Sequence, residues 1–436
     1  MLTRKMKDSE IKWIGEIPED WEIRKLKYTL EERNEKNNPI ITDNILSLSV
    51  ERGIFPYAEK TGGGNKSKSD LTAYKVAHPN DIVINSMNIL AGAVGLSRYT
   101  GVVSPVYYTL YTTSEEINIT YYYYLFRTRE FQRSLLGLGN GIMMRESSTG
   151  KLNTIRMRIP MDKLAGLFLP LPPRRVQDLI VKSLAKDIKV VNKLINQTEQ
   201  SIKELKNYKQ SLITESVTKG IDPNVEMKDS GIEWVRDVPK NWEVKPIKYS
   251  VNERKEQLNS QMNPYDEINY VDISSVSYAK GVEKIESLKF KDAPSRARKI
   301  VYHNDIIIST VRTYLKSIDR INYNIPLIVS TGFCVLKPRN HISANFLEYA
   351  IKSDYFTNQV EQFSTGIAYP SITSRALLSL NFIEPPLNEQ QEIFKYLNDK
   401  VDTIDRLIED KTKVVEELEN YKNSLIYEYV TGKKEV

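Results

Sequence analysis

Cysteine is nearly absent, with Cys334 standing alone among 436 residues. This excludes an internal disulfide and any multi-cysteine zinc site, and it suits a reducing cytoplasm. Only three histidines occur, His78, His303 and His341; their spacing fits no metal site, and so few leave little scope for a Ser-His-Asp arrangement. No apolar run approaches the roughly 18 residues of a membrane span. The opening residues, MLTRKMKDSE, contain no apolar signal-peptide core. A cytoplasmic chain without membrane contact is expected. Motifs for nucleotide and DNA chemistry are also missing. GLGNGI (137–142) follows a predicted helix and opens none, and GGGNKS (62–67) lacks the adjacent Gly-Lys of a phosphate loop. Glu384-Pro385-Pro386-Leu387 has the wrong first and last residues for an amino-methylating DNA methyltransferase, and Glu243-Val244-Lys245 lacks the Pro-Asp partner of a nuclease motif. Catalysis within the chain is not expected.

Tryptophan is equally scarce, and all four copies lie in one passage that occurs twice. Residues 6–28 read MKDSEIKWIGEIPEDWEIRKLKY and residues 227–249 read MKDSGIEWVRDVPKNWEVKPIKY, identical at 11 of 23 positions. LKNYKQSLITESVT (205–218) recurs as LENYKNSLIYEYVT (418–431), identical at 10 of 14. Between these ends, HPNDIVINSM (78–87) matches YHNDIIISTV (302–311), and VVSPVYYTL (102–110) matches IVSTGFCVL (328–336). Two copies are too few for a solenoid, so a pseudo-two-fold monomer is expected. Trp13, Trp21, Trp234 and Trp242 are expected to anchor packing, since their neighbours are mostly acidic.

Each half reads as an α/β block followed by a long helix, a mixed α+β chain. The segments are 1–173, 174–220, 221–386 and 387–436. Strands are predicted within 44–50, 81–87, 105–113, 268–274 and 305–311, and helices at 119–136 and near 344–363. Matched landmarks are offset by 224–226 within the blocks but by 213 in the tails, so the first block carries about a dozen extra residues near 140–156. After Pro172-Pro173 and Pro385-Pro386, apolar residues recur at alternating spacings of 4 and 3. In the first helix these are Ile180, Leu184, Ile188, Val191, Ile195, Ile202, Leu205 and Leu212. In the second they are Ile393, Leu397, Val401, Ile404, Ile408, Val415, Leu418 and Leu425. This is a heptad seam. Residues 174–217 hold nine Lys/Arg against five Asp/Glu, and residues 387–430 hold six against eleven. Opposite charge on matched seams predicts that the two helices pair.

The net charge of +6 permits contact with a polyanion without requiring it. Basic residues gather in stretches of both blocks: Arg145, Lys151, Arg156 and Arg158 in the first, with Lys66 and Lys68 in the TGGGNKSKSD loop, and Arg296, Arg298, Lys299 and Arg312 in the second. Forked guanidinium donors among small polar residues suit phosphate clamping and base-edge reading.

With these elements in place the chain resembles the specificity subunit of type I restriction–modification enzymes. The resemblance is carried by W-I-G-E-I-P-E-D-W (13–21) and its copy, Asn80-Asp81-Ile82-Val83-Ile84 with Asn304-Asp305-Ile306-Ile307-Ile308, Val103-Ser104-Pro105-Val106-Tyr107, Tyr369-Pro370-Ser371-Ile372, and Pro385-Pro386-Leu387-Asn388-Glu389-Gln390. The first half departs from the pattern. Arg156-Met157-Arg158-Ile159 stands in place of Tyr-Pro-Ser-Ile, and Pro172-Pro173-Arg174-Arg175-Val176-Gln177 keeps the prolines and the glutamine. The resemblance implies two target-recognition domains joined by two long antiparallel coiled-coil helices. Each domain would read half of a bipartite double-stranded DNA target, with Tyr369 and Ser371 joining the basic residues at the DNA. The helices would set the gap and dock two methyltransferase subunits. S-adenosylmethionine would belong to those subunits, ATP and magnesium to restriction subunits, and no cofactor to this chain. The competing expectation is a protein–protein scaffold that reads no DNA, which salt-dependent duplex binding would separate.

Overall fold

The computed structural model describes residues 4–60, 70–141, 144–146, 152–154, 157–259 and 261–436. They form two units. One comprises Met1–Thr198 with Lys413–Val436, and the other comprises Glu199–Thr412. Both are mixed α/β and are built alike.

Each unit opens with a short hairpin: Met6–Asp8 on Glu16–Pro18, and Met227–Asp229 on Asp237–Pro239. Each needs a left-handed residue at two matched positions, 10 and 15 in the first and 231 and 236 in the second. The copies place their glycine at opposite ones, Gly15 (φ 73) with Glu10 (φ 59), and Gly231 (φ 69) with Arg236 (φ 64). One glycine per hairpin suffices, because a single strained L-residue costs only about 1–2 kcal/mol. The next strand, Glu22–Lys25 or Glu243–Pro246, pairs with the strand just before the proline pair, Phe168–Leu171 or Asn381–Glu384. The start of each block is thereby stitched to its end.

Two sheets fill each block. The first block has an antiparallel sheet in the order Glu31–Glu32, Tyr107–Tyr111, Ile82–Asn85, Val94–Leu96. The second has Val251–Glu253, Phe333–Pro338, Ile306–Ser309, Ile318–Arg320. In the second block another four strands follow the order Glu286–Lys289, Glu267–Val271, Leu327–Ser330, Ala297–Val301, with the central pair parallel. The first block has the same plan in looser form. Hairpin Leu46–Ser49/Gly53–Pro56 meets the pair Lys75–Ala77/Gly101–Val103 through a parallel bridge, Ile45 to Val102.

The helices predicted at 119–136 and 344–363 are each two helices: Ile119–Phe126 with Arg129–Ser134, and Ala344–Lys352 with Asp354–Gln362. The breaks fall at buried Thr128 and Ser353, whose hydroxyls bond back to the carbonyls of Leu125 and Ala350. Such hydroxyl-to-carbonyl bonds compete with helix propagation.

The long helices run Arg174–Lys219 and Leu387–Val430. In the first unit Tyr429 Oη donates to Asp187 (3.1 Å) and Lys422 Nζ to Asn192 (3.3 Å). In the second, Lys209 pairs with Asp405 at 2.6 Å. Numbers rise along one helix as they fall along the other, so the pairing is antiparallel. All sixteen seam residues are buried or half-buried. Those nearest the sheets, such as Leu184 and Leu397, are fully covered, whereas Ile202, Leu205, Ile408, Val415 and Leu418 are half-covered.

The helix tails close onto the heads. Gly220 (φ 80) lies against Trp242, and Gly432 (φ 74) against Pro18 and Trp21. Trp21 and Trp242 are core residues and Trp13 packs edge-on to Phe131, but Trp234 is 46% exposed, contrary to the expected anchor role. In the first unit Tyr427 Oη donates to the Trp13 carbonyl (3.0 Å). The matching helix position in the second unit is Thr214, which is too short to reach and instead accepts from the Asp354 amide (3.0 Å).

Candidate nucleic-acid interface

The repeated Asn-Asp motif turns the chain into the central strand of each antiparallel sheet. Asn80 and Asn304 are left-handed (φ 70 and 68), and buried Asp81 and Asp305 accept from Arg33 (2.8 Å) and Arg254 (2.7 Å). These ion pairs hold the two arginine pKa values above the ordinary range, chiefly through the hydrogen bonds to Asp81 and Asp305. The loop that leaves this strand is fixed in the same way in both units. Ser86 Oγ donates to the Val106 carbonyl (2.8 Å) while its own carbonyl accepts from the Ile159 amide (3.0 Å). Thr310 Oγ1 donates to the Gly332 carbonyl (2.9 Å) while its carbonyl accepts from the Ile372 amide (2.9 Å). Despite their different sequences, the 157–159 and 370–372 segments dock at the same place.

Beyond that shared base the units diverge. In the first, Asn140 pairs with Arg158; in the second, Thr365 pairs with Ser371 through bonds of 2.8 and 2.9 Å. Between the paired residues the second block has only Gly366–Pro370. The first has a longer arm whose described strands are Met144–Glu146 and Leu152–Thr154. The extra dozen residues lie here. Arg158 is exposed, and Arg145 lies on the first arm strand opposite Asn153. Lys66, Lys68, Lys151 and Arg156 lie outside the described residues.

In the second block the structure brings several of the candidate residues to one edge. The Thr331 amide donates to the Arg296 carbonyl (2.8 Å) and the Thr310 amide to the Gly332 carbonyl (2.8 Å), while Val311 bridges Ser371. Arg312, left-handed at φ 51, sets its guanidinium 5.2 Å from the ring centre of exposed Tyr369. Exposed Arg296 pairs with Asp272 at 2.8 Å. Burial opposes the Asp272 charge, but hydrogen bonds from Tyr270 and Ser274 and the nearby Arg296 hold its carboxyl below the ordinary carboxylate range.

Two candidates are engaged inside the fold. Lys299 Nζ donates to the Phe333 carbonyl (2.6 Å), and Lys75 makes the same contact with Tyr107 in the first unit (3.1 Å). Arg298 donates to the Ala297 carbonyl and lies over Phe290. Lys316, a member of the basic stretch 289–320, is left-handed at φ 48 on the Arg312 loop and 3.5 Å from Glu361. Sequence reading missed Tyr265, exposed beside Lys289 and Lys291, because a loop tyrosine carries no local signal. Among the described residues, no group of three or more His, Cys, Asp and Glu converges as metal ligands would, and no helix is long and apolar enough to cross a membrane.

The model of the type I restriction modification DNA specificity domain matches residues 239–417. Two relatives from Methanocaldococcus jannaschii align over nearly the whole chain. The putative type I restriction enzyme MjaX specificity subunit is 25% identical, covering 96% of this chain and 95% of its own. The type I restriction enzyme MjaVIII specificity subunit is 24% identical, covering 96% and 93%. The fold is shared with a chain from a structure of the complex assembly and conformational transition of the type I R-M system, with TM-score 0.71, 14% identity, and 96% and 99% of the two chains covered. It is also shared with the HsdS subunit from Thermoanaerobacter tengcongensis, with TM-score 0.52, 16% identity, and 96% and 98% covered. End-to-end alignment with two proteins of one kind, and a domain model of the same kind in the second half, agree with the duplicated architecture: over nearly its whole length the chain is similar to the specificity subunits of type I restriction–modification enzymes.

Proposed function

We propose that the chain is the non-catalytic DNA-recognition subunit of a type I complex, with each block reading one half of a bipartite duplex target. One observation carries this reading: a single loop base, fixed by the same hydrogen bonds in both units, bears two different tips. A duplicated scaffold with a conserved mount and divergent tips suits two readers of different half-sites. Arg158 in the first block and Arg296 and Arg312 in the second supply forked donors to phosphate or guanine edges.

The long helices receive two methyltransferase subunits. Supporting this, each helix carries further exposed residues on a heptad period, Leu194 and Tyr208 fourteen residues apart on one, Leu407, Val414 and Tyr421 seven apart on the other, beside a half-covered seam. Exposed apolar rows of this kind mark partner-helix sites. S-adenosylmethionine then resides in the methyltransferase subunits, ATP and magnesium in restriction subunits, and the assembly works in the cytoplasm on genomic DNA.

Exchange of residues 29–165 for the block of a relative tests the reading through methylation maps of host DNA. One half of the methylated sequence should change while the other stays. Changes in both halves would refute independent readers. Duplex binding that ignores salt would favour a scaffold without DNA recognition.

A further inference from the structure

Water solvates the loop tip of the second block poorly. Ile367 is fully exposed, at 105% of its reference surface; Phe363 and Tyr369 on the same loop, and Val311, Tyr314 and Leu315 on the loop facing it, are exposed as well. Single apolar side chains on a surface need no explanation, but six large ones on two bonded loops do. The loop has little freedom to fold down and hide them. Thr365 and Ser371 close its neck, Ser371 bridges Val311, and the Thr313 and Ser364 hydroxyls meet at 2.9 Å. Gly366 adopts φ 103, and a Cβ there would stand 3.1 Å from the Tyr369 carbonyl oxygen. Cations flank the tip: Arg312 against Tyr369, Lys316 beside it on the loop, and Arg296 joined to that loop through the Thr331-Gly332 turn. An apolar protein groove would accept the tip but offer no anion to Arg312, whereas Lys316 and Arg296 already lie 3.5 Å from Glu361 and 2.8 Å from Asp272. Duplex DNA answers both, with phosphates for the cations and a base stack for the hydrocarbon.

We propose that the Gly366–Pro370 loop is an unstacking wedge, whose Ile367 enters a base step of the second block's half-site while Arg312 and Lys316 meet the flanking phosphates. The proposal rests on the DNA-recognition reading above. A methyl contact in the groove would need one apolar side chain, whereas the neck and six-residue apolar surface suit insertion. The first block, with its longer arm in place of this loop, leaves its own half-site stacked.

The test uses the full chain assembled with its methyltransferase partners and a duplex bearing the mapped target. 2-Aminopurine is placed singly at each position of both half-sites. Fluorescence should rise at one step of the second block's half-site other than the methylated adenine, which the methyltransferase extrudes by itself. Ile367→Ala should abolish that rise and weaken binding roughly tenfold, while Ile367→Leu retains both. Replacing thymine by uracil in that half-site should leave affinity unchanged. A rise that survives Ile367→Ala would overturn the wedge. So would a uracil penalty that disappears in the variant, which would mark a methyl contact, or loss of assembly in the variant, which would place the tip in a protein interface. Absence of salt-dependent binding by the unaltered assembly would instead refute DNA recognition itself.

Discussion

Gln390 offers the sharpest test of how the blocks are held to their helices. Its side chain is completely buried at the start of the second long helix. The amide nitrogen donates to the carbonyls of Pro385 (2.8 Å) and His341 (3.1 Å), and the amide oxygen accepts from the Ser343 amide (2.8 Å). Gln177 repeats all three bonds with Pro172, Glu116 and Asn118. Gln390→Leu fills the space but strands three main-chain groups, at about 1–3 kcal/mol for each buried group left unsatisfied. Taking about 2 kcal/mol for each group and offsetting about 2 kcal/mol for leucine's own burial, we expect a net loss of about 4 kcal/mol. For a unit of this size that lowers the melting temperature by about 8–16 °C. The assay is thermal unfolding by circular dichroism, with hydrogen exchange at the Ser343 amide as the local readout. Gln390→Glu should also destabilise near neutral pH, because its carboxylate faces two carbonyls, and should recover as falling pH protonates it. A melting temperature within about 2 °C of the parent, with Ser343 still protected from exchange, would refute the reasoning.

Val176→Glu should stabilise the first unit by about 1 kcal/mol: buried Trp21 Nε1 has no partner among the described residues, whereas Trp242 Nε1 donates to Glu389 (2.7 Å) at the position matching Val176. Chemical denaturation reads this, and an unchanged midpoint would contradict it. Arg296→Ala should lower the slope of log affinity against log salt by about one unit if the side chain meets a phosphate, and Arg158→Ala should do the same in the first block. Unchanged slopes in both would move the DNA surface elsewhere. Asp272 has a folded pKa below its unfolded value, so its contribution to stability is full above the ordinary carboxylate range and is lost as pH falls through the depressed value. Asp272→Asn should therefore flatten the acid limb of the stability–pH curve, and an unaltered limb would show that the carboxylate adds nothing.

Long periodicities were legible because they are physically redundant. The helix seams repeat one requirement, burial on one face, sixteen times, and the heads repeat a whole hairpin. Single-contact features were not legible. Nothing in Thr128 or Ser353 announces that its hydroxyl will end a helix, since the same residues are tolerated mid-helix when turned to solvent. The second sheet of each block depends on a parallel pairing between strands far apart in sequence, Glu267–Val271 and Leu327–Ser330. For the site, composition located the basic stretches but could not separate Arg296, which is exposed, from Lys299, which binds the Phe333 carbonyl. That distinction depends on the direction of a side chain in three dimensions. The twelve-residue offset marked where the loops diverge, yet only the shared pairing of Arg158 and Ser371 shows that one mount carries both tips.

The division of each long helix between units has a consequence for synthesis on the ribosome. The second unit is one continuous stretch, Glu199–Thr412, but the first waits for Lys413–Val436. Tyr121 cannot reach the Val430 carbonyl, nor Trp13 receive Tyr427, until some 300 to 400 further residues have been made. At about 5–20 residues per second, the 214 residues from Glu199 to Thr412 alone delay completion of the first unit by roughly 10–40 s. The amino-terminal block therefore emerges first and is finished last, with the apolar surface beneath its missing helix segment open meanwhile. Its nascent form is the one left with uncovered apolar surface, and a chain cut short before Lys413 would carry all of the second unit's residues and an unfinished first unit.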